Sequence, residues 1–247
     1  MLRHYGIKRT YIHNFRLAVL LCLTAGFVNA VGFLGFFHLT TNVIGHAAIF
    51  AERVAQQDWK IATIVATWML LFLGGALFSS LIINKIGHHA RFSYVIPILI
   101  ELAILIFCAV YGGNRLLFSN GFFVGCLLFA MGIQNALVSV ISGSVVRTTH
   151  LTGTFTDLGI DIAQLRWTNL PAQQELVSRI KLRLSIIFFF MLGALAGAYF
   201  YIRFSFNAFL LPCLILCFIL LFDVFRLHFK RYYRTLYLRT KPKLPYE

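Results

Sequence analysis

Charge is scarce in this sequence: 12% of residues are Asp, Glu, Lys or Arg, and the acids number 8 in 247. Soluble domains carry roughly 25% charged residues, so a water-soluble globule is excluded, and no stretch is left for a separate soluble domain. Cysteine is sparse as well. Cys22, Cys108, Cys126, Cys213 and Cys217 all fall in long apolar runs, where neutral thiols pack as small hydrophobes rather than forming disulfides. Cys213 and Cys217 share a helix face, but without a nearby His or acid they are poor metal ligands, and no metal site or cofactor is expected. No Walker loop, H-E-x-x-H or G-x-S-x-G occurs, which removes ATP hydrolysis and the familiar membrane proteases. The first apolar run has no A-x-A site at its end and is long for a signal peptide, so it is expected to be an uncleaved span.

What the chain has is apolar length. Hydrophobic residues make up 60% and the mean hydropathy is +0.81, the composition of an integral membrane protein. A spanning helix needs about 20 apolar residues. Uncharged windows at 17–37, 61–84, 184–202 and 204–222 meet that length, and two more, 92–114 with its single Glu101 and about 119–141, complete six. The runs are continuous rather than alternating, which selects helices over a barrel. Pro212 is expected to kink the sixth.

The charges that exist are nearly all basic, 22 Lys and Arg for a net +14. With both termini cytoplasmic, 18 of the 22 lie inside, and only Arg53, Lys60, Arg115 and Arg203 fall in outside loops. The positive-inside bias therefore predicts an N-in, C-in protein. The basic tail over 223–247 is read as an anchor to anionic lipid headgroups rather than a nucleic-acid arm. The bilayer is the expected partner and nucleic acid is not; self-association is left open.

Landmarks recur along the chain. "AGFVNAV" near residue 25 returns as "MGIQNAL", aligning Gly26 with Gly132 and Asn29 with Asn135. "HLTTN" at His38 returns as "HLTGT" at His150, and "GAL" at Gly75 returns at Gly193. The offsets are 106, 112 and 118, in order. This predicts an all-α, polytopic helix bundle of about six transmembrane helices, built as two inverted three-helix repeats. A basic N-terminus (1–16) precedes repeat 1 (17–114, with a polar segment at 38–60); repeat 2 (115–222, with a polar segment at 147–183) precedes the tail. Three spans per repeat is odd, so the copies sit in the membrane with opposite orientation, an architecture that works near the midplane between its halves.

"AGFVNAVGFL", "HLTTNVIG", "AMGIQNAL" and "VRTTHLTGTFTDLG" together resemble the signature stretches of the YoaK family of bacterial inner-membrane proteins, also called DUF1275, over residues 15 to 222. The resemblance implies a polytopic bacterial inner-membrane protein and no established activity. Family members often show M-T-G-N where this chain has Leu39-Thr40-Thr41-Asn42, so a role that needs a glycine backbone there is not carried over.

The candidate site residues are the polar ones in apolar surroundings. Asn29, Gln134 and Asn135 interrupt spans, where an unsatisfied amide is costly, and they serve either as interhelical glue or as the lining of a solute path. Thr40, Asn42, Thr152, Gly153 and Thr154 offer hydroxyls, an amide and a permissive backbone at segments 38–52 and 150–165, which either cap helices outside the bilayer or re-enter it as half-helices whose amides meet a solute. A threonine or glycine is expected to cap the helix after His150, with acids in its first turn. Glu101 stands mid-span, where an ionised acid costs about 2.5 kcal/mol or more. Glu101, Asp157 and Asp161 are thus candidates for proton coupling, Glu101 alternatively being a neutral structural acid. The leading expectation is a secondary transporter or permease for a small polar solute. A passive 3+3 hourglass channel, or a membrane enzyme or assembly factor using the cytoplasmic acids, is the alternative.

Overall fold

The computed structural model describes residues 11–87, 93–114, 116–142, 146–167 and 170–222. They form helices α1 (Tyr11–Phe36), α2 (Val43–Ala55), α3 (Trp59–Ile86), α4 (Val95–Tyr111), α5 (Asn120–Ser142), α6 (Leu151–Gln164) and α7 (Leu170–Phe204), a 3₁₀ turn at Ser205–Phe209, and α8 over 210–222. No strand occurs among the described residues. The basic ends 1–10 and 223–247, with His88, His89, Arg91 and Arg115, lie outside them.

Among the described residues four stretches are long and apolar enough to cross a membrane: Ala18–Phe36, Trp59–Ile86, Asn120–Ser142 and Ala172–Phe222; α4, apolar but for Glu101, has 17 residues. The last stretch runs to 51 residues, about twice what a bilayer needs, and the 3₁₀ turn divides it. Ser205 takes the left-handed conformation there, with φ 53°. Phe206 then lies against Gly35 and Gly112, near the ends of α1 and α4, while Cys213 stands within electrostatic reach of Cys108 and Glu101, farther back along α4. The chain therefore doubles back, and α8 runs against α4. Pro212 does not kink this helix: it sits in the first turn of α8, where a missing N–H leaves no gap in the ladder.

Two glycine seams hold the centre. Gly26 lies against the backbone of Phe190 and Ala194, and Gly193 against Leu23; Gly132 lies against Phe72 and Ala76, and Gly75 against Phe129 and Ile133. A Cβ at any of the four would stand 2.0 to 2.2 Å from a carbonyl oxygen, so only glycine lets α1 meet α7, and α3 meet α5, this closely. The contacts repeat in kind: Leu23 and Phe129 differ by the same 106 as Gly26 and Gly132, and Phe72 and Phe190 by the same 118 as Gly75 and Gly193.

Directions follow from the partners. Leu23 meets Gly193, Phe27 meets Gly197 and Phe36 meets Phe206, so α1 and α7 run parallel. The Trp68 indole donates to the Gly121 carbonyl at 2.8 Å and Leu71 meets Gly125, so α3 and α5 also run parallel. In contrast, Gln134 bonds to Leu21 and Phe123 stacks on Phe36 at 5.2 Å, which makes α1 and α5 antiparallel. Outward from the seams, Leu70, Leu73, Leu77 and Leu81 form an exposed stripe on α3, and Phe188, Met191, Leu195 and Tyr199 form its counterpart on α7. Large apolar stripes facing outward on both sides of a buried core suit hydrocarbon, not water.

Candidate functional site: a cavity between two polar loops

After α1 the chain does not continue outward. Phe37 adopts φ 61° and reverses it, so that Thr40 settles beside Gly32 and Val28, about 6 to 12 Å back along α1 from Phe36 at 1.5 Å per residue. Asn29 fixes the return. Its Oδ1 accepts from the Thr40 and Thr41 amides at 3.1 and 3.3 Å, and the Thr40 hydroxyl donates to the Val28 carbonyl at 3.3 Å. His46 Nε2 then donates to the Leu39 carbonyl at 2.7 Å, and Asn42 caps α2 by accepting from the Gly45 amide at 3.2 Å. These bonds use most of the polar groups that the turn would otherwise strand in a dry setting; His46 Nδ1 is left without a partner among the described residues.

The matched loop is built differently. Ser142 ties itself to Val146 through both a donated and an accepted bond, after which Arg147, Thr149 and His150 come alongside Asn135 and Ser139. α6 starts at His150 without a side-chain cap, and its first turn holds no acid. The expected threonine or glycine cap is absent because Thr154 turns its hydroxyl back to the His150 carbonyl at 2.9 Å, and the His150 ring folds over Gly153, close enough that any Cβ there would clash. Asn135 Oδ1, whose counterpart Asn29 holds two amides, is buried and has no partner among the described residues.

Between the loops lies a cavity of about 480 Å³. Both halves supply its walls in matched fashion: Asn29 and Asn135, Phe72 and Phe190, and the starts of α2 and α6. Of the residues expected from sequence, Asn29, Asn42, Asn135 and Thr152 line it. Thr40 is spent holding the turn, Gln134 donates to the Leu21 carbonyl at 2.7 Å, and Gly153 and Thr154 shape the start of α6. Glu101 is fully buried in α4 and does not line the cavity, and neither carboxyl oxygen has a partner among the described residues. Asp157 and Asp161 also stand apart: Asp161 pairs with Arg183 and, at 3.8 Å, with Arg179, while Asp157 reaches Arg183 at 3.4 Å, so the acids bind α6 to α7.

Most of the other lining residues escaped the sequence reading, and Phe72, Phe190 and Arg147 are the largest of them. Phe72 and Phe190 each stand three positions before the matched glycines Gly75 and Gly193, so extending that landmark upstream would have found them. Arg147 is one of the basic residues that the charge bias assigns to the cytoplasmic side, and it also lines the cavity. No signal of spacing marked it.

The two asparagines should differ in stability cost. Asn29→Ala strands two backbone amides and is expected to lower stability by about 2 kcal/mol, whereas Asn135→Ala, with no bond at Oδ1 to lose, costs less than about 1 kcal/mol. Thermal melts of both variants in detergent check this, and equal losses would contradict the bonding described.

The chain is 27% identical over 146 residues to the UPF0700 transmembrane protein YoaK of Bacillus subtilis (strain 168), a match covering 58% of this chain and 65% of that protein. It thus spans a little under two thirds of that relative's length. No solved structure matches the chain. A family model described as DUF1275, protein of unknown function, matches residues 17–222, from within α1 to the end of α8, and this all-helical membrane protein belongs to that family.

Proposed function

We propose that the protein is a secondary transporter or permease for a small polar solute, working at the cavity between two inverted repeats. The observation that carries the reading is the cavity itself, walled by matched residues of both halves and bordered by the N-terminal ends of two short helices. Half-helix ends meeting at a pseudo-twofold site are a recurrent way for transporters to bind solute without exposing backbone to lipid. The matched offsets of the glycine seams and the opposed directions of α1 and α5 support inversion. In this reading α1, α3, α4, α5, α7 and α8 cross a bacterial inner membrane, both termini are cytoplasmic, and α2 and α6 dip in from opposite faces. Glu101 is the group in this reading for which proton coupling remains a role, acting from outside the cavity.

The reading is tested without knowing the solute. In a chain freed of its five cysteines, Asn42→Cys is expected to react with a membrane-impermeant thiol reagent from the outside, and Thr152→Cys from the cytoplasmic side. Reaction of both from one face sinks the inverted arrangement. Simultaneous reaction of each from both faces favours a passive channel over a carrier.

A further inference from the structure

The cavity's chemistry is lopsided toward positive charge. Arg147 lines it, no Asp or Glu is among the lining residues, and Arg147 makes no ion pair or hydrogen bond among the described residues. Added to this is the start of α6, a helix of 14 residues with no side-chain cap, whose Leu151 and Thr152 border the same space. The first amides of a helix have no partner within it and carry the positive end of its dipole. A guanidinium and a bare helix start, side by side, form a site for negative charge.

A second, independent observation points to an occupant. Thr41 is 5% exposed and lines the cavity, yet its hydroxyl has no hydrogen-bond partner among the described residues. Asn135, a lining residue from the other half, leaves its buried Oδ1 without a partner among the described residues. Buried polar groups normally find partners, and these two converge on the same cavity from opposite halves. The rest of the wall is mixed: Leu39, Val43, Ile44 and the matched Phe72 and Phe190 supply its apolar surface beside Asn29, Asn42, Ser139, Thr149 and His150.

We infer that the cavity binds a small organic carboxylate. Its charged end lies on Arg147 and the α6 amides, its polar substituent meets Thr41 or Asn135, and its carbon body lies against Phe72 and Phe190. A single guanidinium balances one carboxylate and would leave a phosphate dianion half compensated. The phenylalanine rings offer nothing to an inorganic ion, and a cation would be repelled. This inference rests on taking the cavity as the transport site.

The test uses the full-length protein in detergent, titrated calorimetrically with lactate and with glycerol, a neutral molecule of similar size. Lactate is expected to bind at least tenfold more tightly than glycerol. Arg147→Gln is expected to raise the lactate Kd by about 10- to 100-fold, and Arg147→Lys by less. Thr41→Val, nearly isosteric, serves as an independent variant, with an expected several-fold loss. Equal affinity for lactate and glycerol, absence of lactate binding, or an unchanged lactate Kd in folded Arg147→Gln or in Thr41→Val overturns the carboxylate site. Liposomes separate this from the transport reading. Lactate that binds but does not exchange across sealed vesicles leaves the site and removes transport; glycerol exchange with no lactate exchange does the reverse.

Discussion

Gly75→Ala is expected to lower the stability of the detergent-solubilised protein by at least about 3 kcal/mol, while Gly74→Ala, one residue earlier, leaves it unchanged or raises it by up to about 1 kcal/mol. The substitutions are chemically identical and adjacent. At Gly75 a new Cβ would stand 2.1 Å from the Phe129 carbonyl oxygen, whereas at Gly74 nothing lies within 4 Å. A methyl group cannot be accommodated at the first position by turning a side chain, because the obstacle is backbone. Helices α3 and α5 must separate, and the dispersion contacts along the whole seam weaken with them. At the second position the methyl enters open space and removes backbone freedom from the unfolded chain. Gly26, Gly132 and Gly193 should behave like Gly75, since a Cβ added at each would stand 2.0 to 2.2 Å from a carbonyl oxygen. Melting temperatures followed by tryptophan fluorescence decide it: similar values for Gly74→Ala and Gly75→Ala would mean that the seam is not formed as described.

The second large effect lies at the junction of α6 and α7. Asp161→Asn is expected to cost about 2 to 3 kcal/mol, against less than about 1 kcal/mol for Asp157→Asn. The Asp161 side chain is 7% exposed and faces two guanidinium groups, those of Arg183 and Arg179; the Asp157 side chain is 56% exposed and meets Arg183 alone. Removing the buried charge takes away the one carboxylate shared by both cations and leaves each only an exposed acid, Asp157 for Arg183 and Glu175 for Arg179, and this sets the larger figure. The partial exposure of both arginines keeps it below the value for a fully enclosed pair. Denaturant or thermal unfolding of the two variants separates the cases, and equal sensitivity would make the Asp161 cluster a surface feature. Both sequence-matched positions in α2, Gly45 and Ile49, are uncharged, so the two short helices are fastened by unlike means: α6 by ion pairs, the loop before α2 by Asn29 and His46.

The recurrence of Gly26, Asn29, His38 and Gly75 at nearly constant offsets was legible because close helix contacts demand glycine, and the demand repeats wherever the geometry does. The same logic marked Asn29 and Asn135 as matched, and both line the cavity. Their unlike bonding was not legible: whether an asparagine accepts two amides or none depends on how the following loop returns, and the reversal at Phe37 leaves no trace in composition. Arg147 was hidden for a similar reason. A basic residue after a span conforms to the positive-inside rule wherever its side chain ends up. The helical run from Leu170 to Arg183 at the start of α7 was concealed by its charges, which removed it from any apolar window although its polar residues are sound helix formers. That the last stretch divides was legible from Arg203 between the uncharged windows 184–202 and 204–222, but the form of the break at Ser205–Phe209 is set by the way Phe206 finds Gly35, Gly112 and Phe36, contacts remote in sequence.

The seams also bear on the order of assembly. Each joins a helix from residues 17–114 to one from 115–222, α1 to α7 and α3 to α5. During synthesis α1 and α3 enter the lipid long before their partners exist, with their narrowest faces bare. Their orientation at that stage has to come from flanking charge, because the packing that will later lock them is not yet available. Closure of both seams is a late event, completed only when α7 arrives. Neither half has inside itself a partner for its own glycine face, so two fragments divided near residue 115 should associate when made together, and either fragment made alone should remain unclosed.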